Sequence, residues 1–199
     1  MFAVVQNGEI RQIIQPDVAF TIGEKQYSAR FIRNSTPEER KAVGVYEIIY
    51  GEQKDQRFYW VSGPDYRVNE VNQTVEATFT ATPKALEDKL EVKEDGTPLF
   101  VQVYNPETEQ MEDTTEQVVT KGLKSQWIAQ AKATANSQLA ATDWMVIRKA
   151  ERGIEIPSET AQARAKIIAD CTAKEAAIAA CTTVEELIVV VENRASTTN

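Results

Sequence analysis

The chain has 199 residues, 42% hydrophobic and 26% charged, enough for one domain or two small ones around a modest core. Its net charge of −8, with no basic stripe, argues against a nucleic-acid partner, because phosphate-backbone binding needs clustered Lys and Arg. The absence of histidine removes Ser-His and Cys-His nucleophiles, His general-base chemistry and most zinc sites.

Phe2–Val5, Asn7-Gly8 and Glu9–Ile14 predict a β-hairpin, since Asn-Gly suits a tight type I′ turn. Phe20–Ile22 and Tyr27–Ile32, flanking Gly23-Glu24-Lys25-Gln26, predict a second. A short helix follows: Thr36 caps it, Pro37 fits its first position, Glu39 completes a capping box and Gly44 ends it. Strands are expected at Val45–Tyr50, at Arg57–Val61 and, after a break at Gly63-Pro64-Asp65, at Tyr66–Val71. Thr74–Ala81 alternates, with Val75, Ala77, Phe79 and Ala81 on one side, as a half-buried strand does.

Thr82-Pro83-Lys84 then suggests a helical turn, Lys89–Lys93 a short strand, Glu94–Pro98 a turn and Leu99–Tyr104 a strand. Pro106–Thr115 is too acidic and turn-rich for a core, and Gln117–Thr120 suits a sheet edge. Residues 86–119 carry 2 basic and 10 acidic side chains, so this segment holds the whole net charge. A solvated β-region accounts for that; a face for a basic partner or a divalent cation is the sharper alternative.

From Gly122 the period becomes helical. Leu123, Trp127, Ile128, Ala131, Ala135 and Leu139 form an apolar stripe. Thr142 is read as the cap of a second helix that stops at Gly153, and Ser158 as the cap of a long Ala-rich one. The latter's buried side is read as Ala161, Ala165, Ile168, Cys171, Ile178 and Cys181, and Thr182-Thr183 starts a last helix. No sustained heptad is evident, and Asn193–Asn199 reads as a disordered polar tail. The fold class is therefore α+β. A small, mostly antiparallel β domain (1–81) leads through an acidic β extension (82–121) into an antiparallel helical bundle (122–199).

No catalytic residue, cofactor or metal ligand is expected. Glu38-Glu39 and Glu185-Glu186 are capping and dipole partners at helix starts, and no P-loop, Rossmann, EF-hand or nucleophile-elbow pattern occurs. Cys171 and Cys181 lie about 15 Å apart along one helix, too far for a disulfide. Met1–Gly8 has no basic leader, and the longest apolar run, Leu187–Val191, is too short for a bilayer, so a soluble cytoplasmic product without membrane insertion is expected. Phe58-Tyr59-Trp60 suits either a packed strand or stacking on sugars or bases. Trp144, with Arg148 and Arg152 at four-residue spacing, suits either a core anchor or an interface, where Trp and Arg are enriched.

Three helical segments, Gly122-Leu123-Lys124-Ser125-Gln126-Trp127-Ile128-Ala129-Gln130, Ala135-Asn136-Ser137 and Thr142–Glu151, resemble the C-terminal helical part of tail-fibre and tail-fibre-assembly proteins of tailed bacteriophages. Met1–Gly8, Ser35–Glu39 and Phe58–Trp60 are similar to a β module of the same proteins. The resemblance implies a virion tail component or a chaperone for a distal fibre. Asp143-Trp144, Pro157 and Arg164 follow the order of the assembly chaperones, whereas their Leu-Pro-Asp-Ala segment and second Trp with Tyr-Arg are absent. The expected function is therefore a non-enzymatic structural protein of the fibre or baseplate, oligomeric in the virion tail and present in host cytoplasm during assembly. Its partners would be other tail proteins, met through Trp127, Asp143, Trp144, Arg148, Arg152, Phe58 and Trp60. A fibre-assembly chaperone is the alternative, and a fibre-borne glycan hydrolase using paired carboxylates the third.

Overall fold

The computed structural model describes residues 1–192. The protein is α+β, and its backbone divides into two compact units, Met1–Thr82 and a second beginning at Pro83.

In the first unit, β1 (Phe2–Gln6) and β2 (Glu9–Ile14) form the expected antiparallel hairpin, with Asn7 and Gly8 both at positive φ (54° and 76°) as a type I′ turn requires. β3 (Phe20–Ile22) and β4 (Lys25–Tyr27) form a shorter hairpin than expected. The chain beyond Tyr27 does not stay extended, and Phe31–Asn34 is a helical turn, α1. That turn brings the Phe31 ring edge-on to both Phe20 (6.0 Å) and Tyr27 (4.8 Å), which themselves stack at 5.1 Å.

The capping box forms as expected at α2 (Pro37–Ala42). Thr36 N–H donates to Glu39 Oε2 (2.8 Å), and Glu39 N–H donates to Thr36 Oγ1 (3.2 Å). Gly44, at φ 79°, then turns against β1, where a Cβ would sit 2.6 Å from the Val5 carbonyl oxygen.

β5 (Val45–Tyr50), β6 (Tyr59–Asn69) and β7 (Thr74–Pro83) complete a five-stranded sheet of order β2-β1-β5-β7-β6. Three expectations are corrected here. The sheet is mixed rather than mostly antiparallel, because β5 and β7 run parallel, with Ile48 opposite Val75. Alternation tells which side chains share a face but leaves strand direction open. Gly63-Pro64-Asp65 does not break β6, since Gly63 takes φ 104° and the strand lies at a sheet edge, where proline's missing N–H is tolerated. No helical turn forms at Thr82-Pro83-Lys84, because β7 continues to Pro83.

Both faces of the sheet are packed. Ala3, Val5, Tyr46, Ile48, Val75 and Ala77 form one cluster. Val4, Ile14 and Val45 form the other with Phe20, Tyr27 and Ile32.

The second unit opens with β8 (Lys89–Leu90), β9 (Phe100–Asn105), β10 (Gln110–Gln117) and β11 (Val119–Thr120). β9 pairs antiparallel with β10, and β8 with β11. The acidic stretch read as turn-rich is thus largely a strand. It buries little and is held by side-chain bonds across the ladder, Gln102 to Asp113 (2.9 Å) and Asn105 to Glu112 (3.0 Å).

Three helices follow, α3 (Leu123–Arg152), α4 (Ser158–Ala180) and α5 (Val184–Glu192). α3 is continuous for 30 residues, so the expected restart at Thr142 does not occur. Thr142 Oγ1 donates back to the Leu139 carbonyl (3.0 Å) instead of accepting from an N–H ahead of it. The stop is Gly153, left-handed at φ 67°. Ser158 is the first helical residue of α4 rather than its cap. Thr183 and Glu186 close a capping box at α5 (3.2 and 3.3 Å).

α3 and α4 pack side by side and antiparallel, as the pairs Lys132–Glu175 (3.1 Å) and Asp143–Arg164 (2.9 Å) require. The inward stripe of α4 is Thr160, Arg164, Ile167, Cys171, Lys174, Ile178 and Cys181, while Ala161, Ala165 and Ile168 face solvent. That stripe has alternating four- and three-residue spacing, a heptad of mixed polarity that counting apolar residues passes over. The expected disordered tail, 193–199, lies outside the described residues. Among the described residues no helix is long and apolar enough to cross a membrane.

Candidate interaction surface

The base of α3 is fixed by the segment just before β8. Gly122 N–H donates to Asp88 Oδ1 (2.8 Å), Leu123 N–H to the Ala85 carbonyl (2.9 Å) and Lys124 N–H to the Leu86 carbonyl (3.0 Å). Three of the four N–H groups that every helix start leaves without intrahelical partners are satisfied in this neighbourhood. A Cβ at position 122 would overlap the Glu87 carbonyl, so glycine is required there for close approach although its φ is ordinary. Asp88 also accepts from Ser125 and Lys121, and these hydrogen bonds hold its carboxyl down at about 2.

Further along, Arg164 of α4 clamps α3. One guanidinium nitrogen donates to the Leu139 carbonyl (2.9 Å) and Thr142 Oγ1 (2.5 Å), and the other pairs with Asp143 (2.9 Å). The charged head thus ties together Leu139, Thr142 and Asp143, which at i, i+3 and i+4 share one side of α3. Trp144, the next residue, is not a core anchor, being 51% exposed. Its indole instead carries the Arg148 guanidinium at 4.8 Å from the ring centroid. Ile147, one turn on, is exposed too, as are Arg152 at the end of the helix and Ile154 just past it.

Nearer the base, a groove of about 360 Å³ runs between α3 and α4. It is lined by Trp127, Ala131, Thr134 and Gln138 on one side and by Ile167, Asp170 and Lys174 on the other. Trp127, Asp143, Trp144, Arg148 and Arg152 all lie on α3, where Trp144 and Arg148 are in contact while Trp127 stands about 25 Å along the helix from Trp144. Phe58 and Trp60 lie in the first unit, Phe58 fully buried and Trp60 67% exposed, so one is a packing residue and the other a surface one.

No sequence signal marked Ile167, Asp170 or Lys174 of α4 as groove-lining, or Asp88 as reaching Gly122 across 34 positions. Arg164 was legible only through the resemblance. Neither cysteine is set up as a nucleophile, since burial, with Glu175 and Glu186 respectively, pushes the Cys171 and Cys181 thiols up. Among the described residues, no three His, Cys, Asp or Glu side chains converge as a metal site requires. The chain matches no protein-family model, and no curated protein or solved structure is significantly similar to it.

Proposed function

We propose that this chain is a structural component of a bacteriophage tail, associated with fibre or baseplate, which works through protein–protein interfaces in virion assembly and host attachment. One observation supports this most. Trp144 stands half in solvent under the Arg148 guanidinium, on the part of α3 that carries the resemblance to tail-fibre proteins. An exposed Trp–Arg pair on a rigid helix is the composition of an interface hot spot. In this reading the helices of residues 123–192 form an antiparallel bundle that packs against a neighbouring tail protein.

A specific contact favours a second reading, the fibre-assembly chaperone. Asp143 and Arg164, two residues that follow the chaperone order, pair directly at 2.9 Å beside Trp144. Mass spectrometry of purified virions separates the two: stoichiometric presence supports the tail component, and absence with normal fibres supports the chaperone. Trp144→Ala should leave the purified protein folded yet depleted from virions. A glycan hydrolase ranks third, because it needs two carboxylates facing across a cleft at about 5–10 Å. The groove between α3 and α4 offers one, Asp170.

A further inference from the structure

An open sheet edge invites pairing with another chain, and most of the longer edge strands here are blunted against it. β2 carries Glu9 and Arg11, and Arg11 bulges out between the pairs Val4–Gln12 and Val5–Ile10. β6 carries Gly63-Pro64 and Asp65. β10 carries Glu112, Asp113 and Glu116, and its residues 114–116 bulge opposite the single residue Val101. β9 has none of these devices. Phe100-Val101-Gln102-Val103-Tyr104-Asn105 is uncharged, free of proline and rich in strong β-formers. Among the described residues it is the one edge strand longer than three residues for which this holds.

β9 pairs with β10 on one side only, so about half of its N–H and C=O groups point away from the ladder. Among the described residues, no backbone group of 100–105 bonds to a backbone outside β10. The side chains leave that edge accessible, since Val103 and Tyr104, on opposite faces of the ribbon, are each 55% exposed.

The chemistry of a guest strand follows from that of its host. From Phe100 to Gln117 the ribbon carries Glu107, Glu109, Glu112, Asp113 and Glu116 and no basic residue. One face holds Tyr104 opposite Met111 and Gln102 opposite Asp113; Val101 and Val103 lie on the other. A strand added beside β9 stands two strand spacings, about 10 Å, from β10, which is about one Debye length at 0.1 M salt. A second copy of the ribbon would bring a second set of carboxylates to the same edge, so charge favours a cationic guest.

We propose that the outer edge of β9 accepts an extended segment of a basic protein partner as a third strand, its lysines or arginines alternating with β-branched residues. The apolar side of the guest lies beside Val101 and Val103. Its cations lie beside Gln102 and Tyr104, on the face that carries Asp113. In this mode main-chain hydrogen bonds supply affinity and the alternate side chains supply selectivity. The inference goes beyond the tail assignment and stands whether or not the chain is found in virions.

Amide hydrogen exchange of the purified full chain, followed by NMR with and without peptide, tests it. The probe is a blocked peptide of alternating lysine and valine, long enough to span β9. Alternate amides of β9 should exchange about 10-fold more slowly at a peptide concentration of about ten times Kd, while those of β2 and β6 stay unchanged. The same peptide N-methylated throughout keeps its charges but has no N–H to donate. It should bind about 100-fold more weakly, roughly fivefold for each of about three lost bonds. A glutamate–valine peptide should not bind. Tyr104→Lys, at an exposed position, should weaken the lysine–valine peptide by about fivefold, because like charges then stand side by side. Unprotected β9 amides overturn the proposal, as does equal binding of the N-methylated or the glutamate peptide, or a Tyr104→Lys variant that binds like the wild type. Protection of β9 that rises with protein concentration alone also overturns it, since a second copy then occupies that edge.

Discussion

At the scale of single residues, the base of α3 shows how two glycines serve different ends. Gly153 needs its left-handed φ, and a Cβ there would meet open space. Gly122 has an ordinary φ but a backbone carbonyl where its Cβ would be. Gly122→Ala should therefore cost about 3 kcal/mol, since the Glu87 carbonyl cannot swing aside like a flexible side chain. Gly153→Ala should cost about 1 kcal/mol, the penalty of a left-handed alanine. Chemical denaturation followed by circular dichroism distinguishes the two. Asp88, beside Gly122, makes the same junction sensitive to acid. Its folded carboxyl sits at about 2, below the ordinary 3.8. The stability it supplies is thus fully present above about pH 4 and is lost as pH falls toward 2. Asp88→Asn should flatten the pH dependence of thermal unfolding in that window, and an unchanged profile would refute its role.

At the scale of elements, the helical hairpin depends on a clamp whose parts differ in weight. Arg164 is largely covered and donates to a carbonyl, a hydroxyl and a carboxylate, whereas Asp143 is more than half exposed. Arg164→Ala should lower stability by about 2 kcal/mol, and Asp143→Ala by less than about 1 kcal/mol, because screening discounts an exposed partner. Urea midpoints of the two variants test this ordering.

What the sequence made legible was local. Asn7-Gly8, the Thr36–Glu39 box and the Gly153 stop each act over a few residues, so each could be placed. The course of α3 through Thr142 could not be foreseen, because threonine can bond forward as a cap or back into the helix. The parallel pairing of β5 with β7 and the inward turn of Arg164 and Lys174 on α4 depend on residues 20 or more positions away. Of the candidate surface, the Trp144–Arg148 pair was visible at helical spacing. The groove was not, since it is made by three helices and mostly by small and polar side chains.

For the whole molecule, the charge division noted in the sequence has a structural counterpart. Half of the acidic residues of 86–119 lie on β10 (Glu112, Asp113, Glu116) and on the turn that joins it to β9 (Glu107, Glu109), where exposed like charge disfavours edge-to-edge pairing of this thin two-stranded ribbon with another. Raising the salt concentration should weaken that protection. Light scattering of the full chain at low and high ionic strength is expected to show aggregation only in the latter, and at a midpoint shifted to lower salt when Glu112 and Asp113 are replaced by Asn or Gln.

The strand order of the first unit also has a consequence in time. β7 lies between β5 and β6 yet is the last of the sheet's strands in the chain. Until it is made, β5 has an open edge and β6 has no neighbour to bond. At typical rates of synthesis the 33 residues from Tyr50 to Pro83 take roughly 2 to 7 s to add. Throughout that interval the nascent chain holds unpaired strands, and closing the sheet waits on a single late arrival.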